Sequence, residues 1–222
     1  MPINLKGNRM KHLVIIGAGE LGRELYWHAQ ESKGFGTEFD MKGYIDDDFD
    51  PLSHRYSNLQ KPLMSSIDDY EVQEDDVFIC AVGSVNGREA TVKKIKDKQG
   101  KFISIINRSS LIQGNVTFGE GVFIGPYTVI GDSVTLGNHV MLNTHSSIGH
   151  DAVLQDYTCV MSYVDITGCC QIGKKVFLAS GCRMTPSTKI GDGAYVGIGS
   201  VVLRRVKPGV KVFGNPAKVV DI

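Results

Sequence analysis

From Ile106 to Val202 every sixth residue is apolar: Ile106, Ile112, Phe118, Ile124, Ile130 and onward to Val196 and Val202. That is seventeen hexads in one frame, with no insertion and no polar residue at the key position. Four residues further on, each hexad carries a small or β-branched residue, as at Val122, Thr128, Val134, Ala152, Cys170 and Ser200. Glycine often follows the apolar residue, as at Gly119, Gly125, Gly131, Gly137 and Gly149. A six-residue period suits neither an α-helix nor a simple alternating strand. It suits short strands joined by tight corners, with one side chain per hexad pointing inward and glycine supplying the corner conformations. Three hexads then make a triangular coil, and each residue stacks on the one 18 positions away.

Composition narrows the remaining choices. The chain has 222 residues, 42% of them apolar and 22% charged, which supports a packed core and argues against disorder. Lys+Arg and Asp+Glu number 24 each, so nothing global points to nucleic acid or an anionic membrane. No apolar run approaches the roughly 20 residues of a membrane span, and Leu13–Ile16 is too short for a signal-peptide core. The five cysteines (Cys80, Cys159, Cys169, Cys170, Cys182) include no CxxC pair. They read as reduced thiols of a cytoplasmic protein, with no zinc or disulfide framework. Charge is uneven along the chain: residues 174–222 carry 9 basic and 2 acidic groups, a surplus of +7. That end is suited to an anion.

Two domains are expected, at 1–104 and 105–222. The first begins with a strand, His12–Ile16, a turn rich in glycine (Gly17, Gly19, Gly22) and a helix from Glu20 to about Lys33. Such a turn lets the free N–H groups of a helix face a phosphate. A second strand, Lys42–Ile45, ends in Asp46 and Asp47, where folds of this kind place a ribose-binding acid. A third, Val77–Val82, runs into Gly83-Ser-Val-Asn86-Gly-Arg88 and a Lys-rich helix to about Gln99. The segment is half of a full dinucleotide fold, so the expected ligand is a nucleotide or nucleotide-linked sugar rather than NAD. Gly17, Gly19, Gly22, Asp46, Asp47, Asn86 and Arg88 are its candidate contacts.

Of six histidines, His12, His28 and His54 read as structural or surface residues. His139, His145 and His150 lie on the repeat and off its apolar frame, so they project outward. His150 stacks between Asp132 and Gly168 at the 18-residue spacing, with Asn143 and Asp151 near it in sequence. A neutral imidazole can take a proton at physiological pH, and a polar partner can hold its tautomer. No cysteine or serine is placed beside His150 by the spacing, which favours direct transfer over a covalent relay. His145 and His150 are also spaced like the pair in β-helical carbonic anhydrases, which add a third histidine two coils earlier. Here that position is Ser109, and catalytic zinc needs three protein ligands, so no metal is expected.

The hexads resemble the left-handed parallel β-helix of the hexapeptide-repeat acyltransferases. The stretch Asn143-Thr-His-Ser-Ser-Ile-Gly-His150-Asp151 is similar to the active-site stretch of the sialic-acid O-acetyltransferase-like family. That family includes nucleotide-amino-sugar N-acetyltransferases of bacterial glycan synthesis. Gly17-Ala-Gly19, Tyr44-Ile-Asp46-Asp47 and the closing Phe213-Gly-Asn215-Pro216-Ala217 extend the likeness over nearly the whole chain. Two positions depart from some members: Gly149 stands where they have an acid, and Cys159 where they have a second histidine.

The resemblance implies an α/β half-Rossmann-like domain ahead of an all-β left-handed β-helix. It implies an acetyl-CoA-dependent N-acetyltransferase of a nucleotide-linked amino sugar, a 4-amino-deoxy sugar, with His150 as base. Asn143 would line the site, Asp151 would assist, and His145 would line the acceptor pocket. The Gly168 N–H would bind the acetyl carbonyl, and Arg204, Arg205 and Lys207, with Lys211, would hold the phosphates of coenzyme A. The family binds acetyl-CoA between neighbouring β-helices, which implies a homotrimer. The alternatives are O-acetylation of a sugar such as sialic acid, or a trimeric nucleotide-binding β-helix without chemistry.

Overall fold

A computed structural model describes residues 9–50 and 53–221. From Ile105 onward the chain is a parallel β-helix with three faces. Its strands are two residues long, and each pairs with the strand 18 residues away: Val129 with Ser147, Thr135 with Val153, Met141 with Cys159. The first face carries the strands ending at Ile112, Ile130 and Ile148, the second those ending at Phe118, Leu136 and Leu154. The third carries those ending at Ile106, Ile124 and Leu142.

Fourteen of the seventeen frame residues, Ile124 through Val202, are buried. Ile106, Ile112 and Phe118 are not, because they form the first coil and have no coil beneath them. The interior holds two side chains per hexad rather than the one expected. Val122, Val134, Ala152, Val164, Cys170, Val176 and Ala194, four residues after the frame position, share the same core. Hydroxyls at these positions are accommodated by the backbone. Thr128 donates to the Asn143 carbonyl (3.1 Å) and Thr158 to that of Gly173 (2.7 Å), both 15 residues ahead.

The corners correct the sequence reading of glycine. The left-handed residue is the third after the frame position, at Asn115, Gly121, Tyr127 and so on to Gly199, and eleven of these fifteen positions are not glycine. The glycines that follow the frame residue serve close approach instead. A Cβ on Gly137 would stand 2.6 Å from the Asp156 nitrogen, and one on Gly149 2.4 Å from the Gly168 nitrogen. At these positions the next coil passes too near for any side chain.

Past Val202 the phase shortens: Ile190 pairs with Val206 and Val196 with Val212, 16 residues on. The strand Lys218–Val219 then turns back antiparallel on Lys211–Phe213. Among the described residues no helix is long and apolar enough to cross a membrane.

The front domain is a parallel sheet of β1 (Lys11–Ile16), β2 (Phe39–Ile45), β3 (Leu63–Ser65), β4 (Asp76–Cys80) and β5 (Lys101–Phe102). Helix α1 (Glu20–Gln30) follows β1, and α2 (Val85–Asp97) follows β4. The strand order is β3-β2-β1-β4-β5, so strands are added to one side of β1 and then to the other, with the switch between β1 and β4. Strands β3 and β5 escape sequence reading because two or three residues show no period.

The domain docks on the third face of the β-helix. Ile105, Phe123, Met141 and Cys159 point outward from that face into one core with Leu13, Ile15, Leu25 and Ala29. Helix α2 lies along the neighbouring edge, where Lys175 pairs with Glu89 and Lys96 with Glu120. His139 is sealed there, 1% exposed, stacked on Tyr157 (5.2 Å) and edge-on to Phe102 (4.8 Å). Neither ring nitrogen has a hydrogen-bond partner among the described residues. Burial pushes its pKa down to about 4.

Two measurements check these points. Gly137→Ala should destabilise the chain in urea by about 1–3 kcal/mol, because backbone must move. Gly193→Asn, at φ +67° with open space around it, should stay within about 0.5 kcal/mol. The second concerns pH. A folded pKa below the unfolded value means stability present above about 6.5 and lost as pH falls towards 4. Between pH 7 and 4.5, wild type should lose about 2–3 kcal/mol more than His139→Phe, which keeps a ring and has no proton to bind.

Candidate active site

His150 follows the first-face strand Ser147–Ile148 and stands on the edge between the first and second faces. Asp151, the left-handed residue of that corner (φ 57°), turns its carboxylate back to the ring. A carboxylate only accepts, so the imidazole Nδ1–H donates to Asp151 Oδ2 at 2.7 Å, and the lone pair is left on Nε2. Both side chains are more than half exposed, so the pair orients the ring more than it stabilises the fold. The ring lies over Gly168, one coil on. A Cβ there would meet Nε2 at 2.6 Å, so the ring has its place because Gly168 has no side chain.

The same edge leaves backbone donors unused. On the edge under α2 the N–H two residues after the frame position bonds a side chain 18 residues on at three positions: Glu120 to Asn138 Oδ1, Asn138 to Asp156 Oδ1, Lys174 to Asp192 Oδ1. Gly168 and Pro186 occupy the corresponding positions above His150 and offer no acceptor. The His150 and Gly168 N–H groups thus have no hydrogen-bond partner among the described residues. Asp132, one coil below, is engaged with Asn115 (3.1 Å) and Ser133 (2.9 Å), so Asp151 is the carboxylate that holds the ring.

One expectation for this edge is overturned. Cys169 stacks on Asp151, and its sulfur, the imidazole and the Asp151 carboxylate each bring a donor atom within 4.8 Å of the others. A cysteine does stand beside His150. Adding 18 to Asp151 rather than to His150 would have found it.

Asn143 and His145 are not brought to His150. Seven residues exceed one hexad, so Asn143 lies a face away, on the edge between the third and first faces. There His145 lies between Tyr127 and Tyr163 at 4.9 Å each, stacked on Tyr163 and tilted 39° to Tyr127, in an exposed aromatic ladder at the 18-residue spacing. Asn143 caps its own corner, accepting from the Thr144 N–H at 2.7 Å.

Arg204, Arg205 and Lys207 line a cavity of about 740 Å³ at the C-terminal end, whose floor includes Val202, Val206 and Val212. Arg204 follows its first-face strand as His150 follows its own, three coils earlier. At about 4.8 Å per coil the two are roughly 14 Å apart along one edge.

A cavity of about 510 Å³ lies in the front domain at the ends of β1 and β4, where the strand order switches. Gly17, Gly19, Asp46 and Asp47 line it, with the first turn of α1 and Gly83 and Gly87 at the start of α2. Asp46 braces the loop, accepting from the Ala18 N–H (2.7 Å) and the Asp48 N–H (3.0 Å). Asp47 pairs with Lys94 (3.2 Å). Gly22 is buried beneath the loop; a Cβ there would strike the Gly17 carbonyl at 2.1 Å, so it packs helix on strand. Asn86 is exposed and off the lining. Arg88 is a correction: 1% exposed, it donates to the Val82 and His139 carbonyls (3.0 and 3.4 Å) and ties α2 to the β-helix. Its guanidinium faces the junction, not the cavity.

The fold is a left-handed β-helix behind a parallel α/β domain. Residues 105–150 match the bacterial transferase hexapeptide (six repeats). Among solved structures, the chain is similar to perosamine N-acetyltransferase from Caulobacter crescentus in complex with CoA and GDP-perosamine. The TM-score is 0.85 at 22% identity, over 96% of this chain and 99% of that one. The acetyltransferase domain of PglB from Neisseria gonorrhoeae, in complex with acetyl coenzyme A, superposes with TM-score 0.84 at 20% identity, over 96% and 100%. YvoF of Bacillus subtilis, named provisionally as an acetyltransferase, is 24% identical over 170 residues, 76% of this chain and 83% of that one.

Proposed function

We propose that this chain is an acetyl-CoA-dependent N-acetyltransferase whose acceptor is a nucleotide-linked amino sugar of the 4-amino-deoxy class. The observation that carries the reading is the His150 edge: an exposed imidazole held by Asp151, with Nε2 its ring atom nearest Gly168, whose N–H has no partner among the described residues. The fold shared with CoA-binding sugar acetyltransferases supports it. In the reaction the sugar amine attacks the thioester carbonyl, forming C–N. His150 Nε2 takes the amine proton, and the Gly168 N–H donates a hydrogen bond to the carbonyl oxygen, where negative charge develops. The intermediate collapses with loss of the C–S bond, and His150 returns the proton to the leaving thiolate. Arg204, Arg205 and Lys207 would hold the CoA phosphates three coils away, a distance suited to an extended pantetheine arm.

The front cavity would hold the nucleotide, with helix N-termini towards its anionic part and Asp46 and Asp47 towards hydroxyls. His150 stands on the edge opposite the face that carries the front domain. A sugar held in one copy's cavity would therefore react at a neighbouring copy's histidine, and we read the working unit as a homotrimer. Leu111 and Val129, exposed on the first face, support such packing.

The test is a screen of UDP-, dTDP- and GDP-linked amino sugars with acetyl-CoA, read by thiol release. Against the best acceptor, His150→Ala should cost about 10²–10⁴-fold in kcat. Gly168→Ala, which displaces the ring, should cost about 10²-fold. Initial rates should give intersecting lines with no acetylated Cys169 on mass analysis. Near-full transfer by His150→Ala would end the proposal. Mixing His150→Ala with a variant blocked at Gly19 should restore part of the activity after subunit exchange; an inert mixture would argue against sharing between copies.

A further inference from the structure

We propose that His150, Asp151 and Cys169 form a Zn²⁺ site whose occupation silences the imidazole. Binding rests on the geometry alone; the consequence for activity rests on the function proposed above. One imidazole nitrogen, one carboxylate oxygen and one sulfur lie within 4.8 Å of one another, and all three side chains are exposed. Zn–ligand bonds of about 2.0–2.3 Å in a tetrahedron need donors roughly 3.3–3.7 Å apart, so small rotations of these exposed side chains, exchanging the His150–Asp151 hydrogen bond for bonds to the ion, close the shell. The backbone beneath them is held. Asp151 N–H donates to the Asp132 carbonyl (3.0 Å) and Cys169 N–H to that of His150 (2.8 Å), which registers the carboxylate and thiol directly above one another.

Donor chemistry selects the ion. A thiolate with an imidazole favours Zn²⁺ over Mg²⁺ or Ca²⁺, and three protein ligands leave a fourth position for water or a free thiol. Cys169 is also the one exposed cysteine of the five. The ion is an inhibitor in this reading, not a cofactor: one imidazole nitrogen binds the metal and the other carries the ring proton, so neither has a lone pair with which to take a proton. The third ligand that histidine spacing fails to supply comes from a sulfur one coil on.

The full chain, stripped with a chelator, is titrated with Co²⁺ as a spectroscopic substitute and then with Zn²⁺ in competition. One equivalent of Co²⁺ should give an intense tetrahedral d–d band and a thiolate-to-cobalt charge-transfer band. Cys169→Ser should lose the charge-transfer band, and Zn²⁺ affinity should fall at least about tenfold in both Cys169→Ser and Asp151→Asn. Zn²⁺ should inhibit acetyl transfer reversibly, with its half-inhibitory concentration at least about tenfold higher in Cys169→Ser. An octahedral Co²⁺ spectrum without a thiolate band overturns the site, as does equal Zn²⁺ inhibition of both chains. Stripped wild type that binds Co²⁺ as described but transfers acetyl to no amino sugar would instead sink the transferase reading and leave the site standing.

Discussion

The 18-residue register between successive coils is the constraint on which the rest of this molecule depends. Backbone hydrogen bonds along the axis hold each coil at the spacing of neighbouring strands, so every side chain is placed relative to its equivalents one coil away. That spacing explains the two inward columns, since only small or β-branched side chains fit beside the larger frame residues. It also explains the glycines after the frame position, where the next coil leaves no room for a Cβ. The corner conformation itself is left to residues as varied as Tyr127, His145 and Lys175. A left-handed residue costs little enough that the coil, with its continuous core and hydrogen bonds, imposes it on most side chains.

Each edge uses the same geometry for a different purpose. On the edge under α2, stacking buries His139 beside Tyr157 and cements the two domains. On the next, Tyr127, His145 and Tyr163 form an exposed ladder. On the third, the absence of a side chain at Gly168 makes room for an exposed imidazole beside a backbone N–H that has no partner among the described residues. The local chemistry of that edge arises from what the ladder lacks. A rigid scaffold of this kind can hold a reactive group in place with few supporting side chains, because the backbone beneath it is already fixed.

Much of this could be read before any coordinates. The apolar frame announced the coil, the glycine turn and the strand-end acids announced the front cavity, and stacking arithmetic paired His150 with Gly168. Other features could not be read. Arg88 looked like a ligand contact because its loop leads into the cavity, yet its side chain turns the other way to satisfy carbonyls buried at the junction. Asn143 looked like a neighbour of His150 because seven residues is close along a chain, though it is a face away around a three-sided coil. Cys169 was missed because sequence distance hides it and stacking shows it.

What the sequence determined by itself is the coil, because a period repeated seventeen times leaves one economical way to bury its apolar side chains. It determined too the parallel front domain and which residues could bear chemistry. Only the tertiary structure decided which of them meet. Side-chain direction at a corner, the docking of one domain on a single face, and the placing of His150 on the opposite edge depend on contacts between residues far apart in the chain. No periodicity encodes those contacts, since each arises once.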